Sequence, residues 1–176
     1  MEFDGFRVMA RRDGHSVRLL TRRGYDWTQR FRLIADAVGS LRCHSCLIDG
    51  EAVVSDDEGI PDFKLLIRSR RYGSAQFYAF DLLELDGEDL RGEPIEKRKH
   101  ALTQLLGKDR AGLLISQPID AAADVAFKHV CQLGLEGIVS KKLGSKYVSG
   151  RSSLWLKTIN PDAPALQRLE QEDWHR

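Results

Sequence analysis

Apolar and polar positions alternate from near the start of the chain. Phe6, Val8 and Ala10 interleave with Arg7, Met9 and Arg11, Asp13-Gly14 supplies a tight turn, and Val17, Leu19 and Thr21 resume the alternation. The first thirty residues therefore predict a β-hairpin. Phe31, Ile34, Ala35, Val38 and Leu41 then recur at helical spacing, predicting a helix from about Thr28 that ends near Gly39. Residues 47–55 read as a strand closed by a turn at 56–59, residues 61–68 as a short helix, and residues 76–85, rich in aromatic and apolar side chains, as the best strand in the chain. After the Asp86-Gly87 turn, Pro94 opens a helix carrying Ile95, Leu102, Leu105 and Leu106, and residues 113–116 make a brief apolar strand. Asp120 is placed to cap a further helix, with Val125, Phe127, Val130 and Leu133 expected mostly buried. Two short strands, 137–141 and 155–159, bracket a basic loop containing Gly and Ser. Strands and helices are interspersed and several turns are hairpin-like, so the fold class is α+β with mainly antiparallel sheets and packed helices.

Composition narrows this. A chain of 176 residues suits one ordinary domain, and 42% hydrophobic with 30% charged residues excludes collagen-like, low-complexity and strongly disordered classes. No apolar run is long enough for a membrane helix, and residues 1–5 have neither the basic region nor the apolar stretch of a secretory signal, so a cytoplasmic protein is expected. Cys43-His44-Ser45-Cys46 has the spacing of half a zinc site, with His129 and Cys131 as distant partners. One ligand pair is a weak signal, and the three cysteines read instead as reduced thiols, Cys46 leading into a buried strand.

The net charge is only +1, but it is unevenly spread. Residues 1–32 hold eight arginines against four acids, and residues 139–159 hold Lys141, Lys142, Lys146, Arg151 and Lys157 against none. Between them, residues 49–62 carry Asp49, Glu51, Asp56, Asp57, Glu58 and Asp62 without a Lys or Arg. Two basic segments and a block of carboxylates suit a phosphate ligand with a divalent cation.

Short segments then add up. Phe3-Asp4-Gly5-Phe6-Arg7 looks like the tail of a Lys-x-Asp-Gly-x-Arg motif, followed by Thr21-Arg22-Arg23-Gly24, Asp49-Gly50-Glu51, residues 77–83 (FYAFDLL), residues 136–141 (EGIVSK) and Trp155-Leu156-Lys157. In this order and spacing, over nearly the whole chain, they resemble the nucleotidyltransferase (adenylation) domain of bacterial ATP-dependent DNA ligases, especially the ligase-D-like group. The resemblance implies an ATP-grasp-like nucleotidyltransferase fold over residues 1–159, truncated at both ends, with residues 160–176 as a polar tail and no oligonucleotide-binding (OB-fold) domain. It also implies ATP and Mg²⁺ as cofactors, nicked double-stranded DNA and other end-joining repair proteins as partners, and no membrane.

Individual residues take roles on that basis. Phe80 offers a planar face for adenine, and the guanidinium forks of Arg7 and Arg22 suit phosphate or ribose. The resemblance adds Asp4 from the first motif, Glu51 for ribose, Glu136 for metal, and Lys141 and Lys157 for the triphosphate. Arg23, Lys142 and Arg151 are candidates for DNA phosphates. Two positions depart from the family pattern. The nucleophilic lysine falls at position 2, where Glu2 stands, and the second lysine of the last motif falls at Ile159. A carboxylate is repelled by the triphosphate it should attack, and a mixed anhydride is labile where a lysine phosphoramidate endures. The expectation is an ATP-dependent DNA ligase homologue impaired as written. The alternative is a non-catalytic nucleotide- or DNA-binding module, or the product of a decayed or misassigned ligase gene. An RNA-capping or RNA-ligase relative fits less well.

Overall fold

The computed structural model describes residues 5–56, 65–66, 72–119, 121–150 and 152–162. Strands β1 (Phe6–Asp13) and β2 (Ser16–Thr21) form the expected hairpin, with Gly14 at φ +57° closing the turn. Helix α1 (Arg32–Gly39) begins later than the apolar pattern suggested. The Thr28 hydroxyl accepts the Leu19 N–H at 2.9 Å while the Thr28 N–H donates to the Asp26 carboxylate, which ties this stretch to β2 as a turn. Strand β3 (Ser45–Val53) and strand β4 (Gln76–Leu85) follow, then the short β5 (Glu88–Asp89), helix α2 (Ile95–Leu106) and β6 (Leu113–Ile115). Helix α3 (Ala123–Gln132) leads to β7 (Gly137–Lys141) and β8 (Trp155–Ile159). Of the short helix expected over residues 61–68, only Leu65 and Leu66 are among the described residues, and both are helical.

The larger sheet runs β2-β1-β3-β4-β5 with antiparallel pairing, and β6 joins β4 in the one parallel pairing among the described strands. One face of it is apolar: Val8, Ala10, Leu19, Ile48, Ala52, Phe77, Ala79 and Leu82 pack with Ile34 and Val38 of α1 and Leu102 and Leu106 of α2. The opposite face carries Arg7, Glu51 and Tyr78. There Val53 meets a second, smaller core of Val130, Leu135 and Ile138, which docks α3 and the two-stranded β7-β8 sheet. The large sheet thus lies between helices on one side and a small α/β unit on the other.

Helix α3 corrects the sequence reading. Its buried stripe is Ala126 and Val130, one turn apart, with Phe127 alongside, whereas Val125 is 55% and Leu133 45% exposed. Ala122 takes the N-cap without a side-chain bond, and Asp120 lies outside the described residues. Cys46 is buried at the start of β3 and all three cysteines are free thiols. Among the described residues no helix is long and apolar enough to cross a membrane.

Candidate functional site

The site begins with an irregularity in β4. Asp49 pairs with Asp81 and Gly50 with Ala79, so Phe80 is an extra residue without a β3 partner. A bulge of this kind re-aims the side chain it contains. Phe80 is accordingly left half-buried, outside the core that takes Phe77 and Ala79 on one side of it and Leu82 on the other. Gly50 makes the neighbouring crossing possible. A Cβ there would sit 2.5 Å from the Phe77 ring and 2.7 Å from the Tyr78 carbonyl oxygen. With Gly50 between them, Asp49 and Glu51 both turn to the face opposite the main core.

Arg7 stands opposite Glu51 and reaches diagonally to Asp49, its Nε donating to Oδ1 at 3.1 Å and its Nη2 to Oδ2 at 2.6 Å. The Tyr147 hydroxyl donates to the same Oδ2 at 2.9 Å, and its own proton is held so firmly, by burial first and by Asp49 second, that its pKa rises to about 12. Asp81 is paired in the same way. Arg98 of α2 gives it Nε at 2.7 Å and Nη2 at 3.0 Å, with both side chains at 0% exposure, and spends its Nη1 on the carbonyls of Glu93 and Ser145. Each buried carboxylate therefore has a forked arginine of its own.

Lys141, at the end of β7, projects between two rings, its Nζ 3.9 Å from the Trp155 centroid and 4.5 Å from that of Phe80. The nearest carboxylate oxygen, Asp81 Oδ2, is 4.0 Å away, and the ammonium makes no hydrogen bond among the described residues. Burial pushes its pKa down to about 8, with Asp81 opposing the fall and Lys99 adding to it. Lys99 is itself lowered by burial and donates to the Ser116 carbonyl at 2.9 Å. These groups border a cavity of about 660 Å³ between the two sheets, whose walls include Arg7, Glu51, Phe80, Lys99, Lys141 and Trp155, with Ile95, Ile119, Ile138 and Val139 supplying apolar surface. A volume of this size accommodates a nucleotide-sized ligand.

Of the residues singled out in the sequence, Arg7, Glu51, Phe80 and Lys141 come together on this cavity from β1, β3, β4 and β7. Arg22, Arg23 and Lys142 are exposed in the turn after β2 and just after β7, and are not among its walls. Glu136 and Lys157 also stand outside the walls and bond each other at 2.7 Å, a lysine ammonium occupying the carboxylate expected to hold metal. Ile159 is exposed on β8, opposite Gly137, where a Cβ would collide with the Thr158 carbonyl oxygen. Glu2, Asp4 and Arg151 lie outside the described residues. The sequence reading assigned no site role to Asp49, Asp81, Arg98, Lys99, Tyr147 or Trp155. Only the Asp-Gly-Glu triplet and the aromatic strand hinted at the first two.

Comparison with solved structures identifies the arrangement of two opposed sheets around this cavity as a nucleotidyltransferase fold. The chain superposes on mycobacterial DNA ligase D complexed with ATP and MES with a TM-score of 0.77 and 31% identity, covering 89% of this chain and 52% of that one. The ligase domain of Mycobacterium tuberculosis LigD matches equally well. The family model for the ATP dependent DNA ligase domain matches residues 1–158, and the chain belongs to that family. It is 41% identical over 162 residues to the multifunctional non-homologous end joining protein LigD of Pseudomonas aeruginosa, covering 89% of this chain and 19% of that protein. A DNA ligase of Natronomonas pharaonis is 33% identical over 177 residues, with 94% of this chain and 32% of that protein covered. The chain therefore spans about a fifth to a third of the length of these curated relatives.

Proposed function

We propose that this chain binds ATP in the cavity between the two sheets and serves nick sealing in end-joining DNA repair in the cytoplasm, with its own adenylation step impaired. The supporting observation is convergence: Arg7, Glu51, Phe80 and Lys141, drawn from four strands far apart in sequence, line one cavity. Adenine stacks on Phe80, whose bulged position leaves it out of the core. Ribose hydroxyls fall to Glu51, and the phosphates to Arg7 and Lys141, the latter a buried cation without a hydrogen-bonding partner among the described residues. Arg22 and Lys157 assist from outside the cavity, and Arg23, Lys142 and Arg151 meet DNA phosphates.

Bound Mg²⁺ would supply neutralisation of the triphosphate charge. Among the described residues no three carboxylate, His or Cys groups cluster for a metal, and Glu136, which Lys157 now pairs, is the single carboxylate that would hold the ion. Transfer of AMP to a lysine needs an amine in line with the α-phosphate and a cation for the charge that develops on that phosphate. Glu2 lacks the amine and Ile159 lacks one cation.

Calorimetric titration with ATP and Mg²⁺ tests the pocket. Phe80→Ala should weaken binding about tenfold, since stacking on an aromatic side chain contributes roughly 1–3 kcal/mol. Equal affinities for the two proteins would remove the base from Phe80.

A further inference from the structure

We propose that the face of the β1–β2 hairpin beside the cavity, at Arg11 and Arg18, is a seat for the phosphate backbone of duplex DNA. This rests on the reading of the cavity as the nucleotide site of a DNA ligase domain and extends it to residues that reading leaves without a task. Arg11 and Arg18 are direct cross-strand partners on the same face as Arg7. Like charges placed opposite each other destabilise a strand pair. Protection of the edge strand accounts for an arginine on β2, but not for a second one on β1, which is paired on both sides.

Among the described residues neither arginine has a close, buried carboxylate partner. Across the sheet, Arg11 faces Leu47, and beyond it Glu84 is engaged by the Ser45 hydroxyl at 2.6 Å and the Gly87 N–H at 2.8 Å. Asp13 lies 3.9 Å from Arg11 with side chains 67% and 51% exposed, a pair too solvated to hold it. Asp26, on which Arg18 exerts a minor electrostatic pull, is hydrogen-bonded by the Thr28 N–H and hydroxyl. Arg11, Asp13, Ser16 and Arg18 together border a shallow concavity of about 140 Å³, large enough for a phosphate group.

The spacing suits a nucleic-acid strand. Arg11 is four residues along β1 from Arg7, about 13 Å at the rise of a strand. Because the phosphates of a B-form strand wind around the axis as they rise, that straight-line separation spans about two nucleotides of a strand leaving the cavity. Met9 and Leu20, half-buried cross-strand partners between the two points, give the sugar edge an apolar floor.

Fluorescence anisotropy with a nicked duplex over a range of salt tests the seat. Arg11→Gln with Arg18→Gln should lower affinity at least tenfold and flatten the slope of log K against log salt by about 1.8, the loss of two phosphate contacts. Arg11→Lys with Arg18→Lys should keep most of the slope, because each lysine still meets a phosphate. An unchanged slope in the glutamine variant, or no binding of DNA by the wild-type chain, overturns the seat. ATP titration of the same proteins separates the two readings: the glutamine variant should bind ATP as wild type does. Failure of the wild type to bind ATP would overturn the nucleotide reading while leaving the salt slope to judge the hairpin.

Discussion

Replacing Lys141 by methionine removes a charge that the fold holds at a cost. The ammonium is only 14% exposed, and its pKa falls from 10.5 to about 8, chiefly through burial. A fall of that size corresponds to roughly 3 kcal/mol of unfavourable interaction with the charged form. The contacts with Trp155 and Phe80, at 3.9 and 4.5 Å, offset part of it, each contributing about 0.5–1 kcal/mol or somewhat more. Methionine has a similar length and no charge to desolvate, so Lys141→Met should be more stable than wild type by about 1–2 kcal/mol at pH 7. The sign with pH follows from proton counts. Between about pH 8 and 10.5 the unfolded chain carries a proton that the folded Lys141 has shed, so wild-type stability rises with pH over that window. The variant has no such group, and its advantage should shrink from pH 7 to pH 9.5. Urea denaturation of both proteins at several pH values measures this, other titrating groups being common to both. ATP affinity should move the other way and fall at least tenfold. A variant less stable than wild type at pH 7, with a gap that ignores pH, would show that the lysine supports the fold and is not held in reserve for an anion.

Two further tests separate scaffold from chemistry. Arg98→Met leaves Asp81 buried and charged without its fork, which should cost about 3–5 kcal/mol in urea denaturation, and adding Asp81→Leu should recover most of that loss. Wild-type protein incubated with labelled ATP and Mg²⁺ should show no covalent AMP by mass spectrometry. Glu2→Lys with Ile159→Lys should form more adduct than the two single variants added together, because both act on one transition state, and a wild-type adduct accompanied by nick sealing would refute the assignment of the defect to Glu2.

Most strands were legible because each has one buried face, which imposes a period of two on the sequence. The site was legible in part, and the failures have physical causes. Strict alternation along β4 would put Phe77, Ala79 and Asp81 on one face and Phe80 with Leu82 on the other. The bulge at Phe80 breaks that parity, so Leu82 returns to the face of Phe77 and Ala79, and no periodicity argument could have aimed the ring. Arg98 and Lys99 sit in a run of charges that reads as a solvated helix face, yet Arg98 occupies an inward position of the stripe Ile95, Leu102 and Leu106. Its partner lies 17 residues upstream on another strand, and Tyr147 and Asp49 are 98 residues apart. Pairings at that separation are made by the tertiary fold and leave no local signature. Motif resemblance found Arg7, Glu51, Phe80 and Lys141 because it carries the contacts of folded relatives, which composition and spacing do not.

On the proposed function, the distribution of charge lets recognition and transfer part company in one domain. Asp49 and Asp81, the buried acids, are saturated by Arg7 and Arg98, with Tyr147 completing Asp49. Their negative charge is balanced inside the wall, which leaves Lys99, Lys141, Glu51 and Glu96 as the other charged groups among the cavity's walls. Positions 157 and 159 of β8 are two apart and so project on one face, the face on which Lys157 already bonds Glu136. A lysine at 159 would give that surface a second ammonium, on a Cα about 7 Å from that of Lys157. Isoleucine leaves one cation there, and it is committed to a carboxylate. On the proposed reading, base and ribose recognition draw on Phe80 and Glu51 within the cavity, while position 159, the expected site of a cation for the α-phosphate, lies on the β8 surface outside its walls. That reading therefore expects Glu2 and Ile159 to weaken transfer without dismantling the pocket, since Ile159 is not among the cavity's walls, which Arg7, Glu51, Phe80 and Lys141 line.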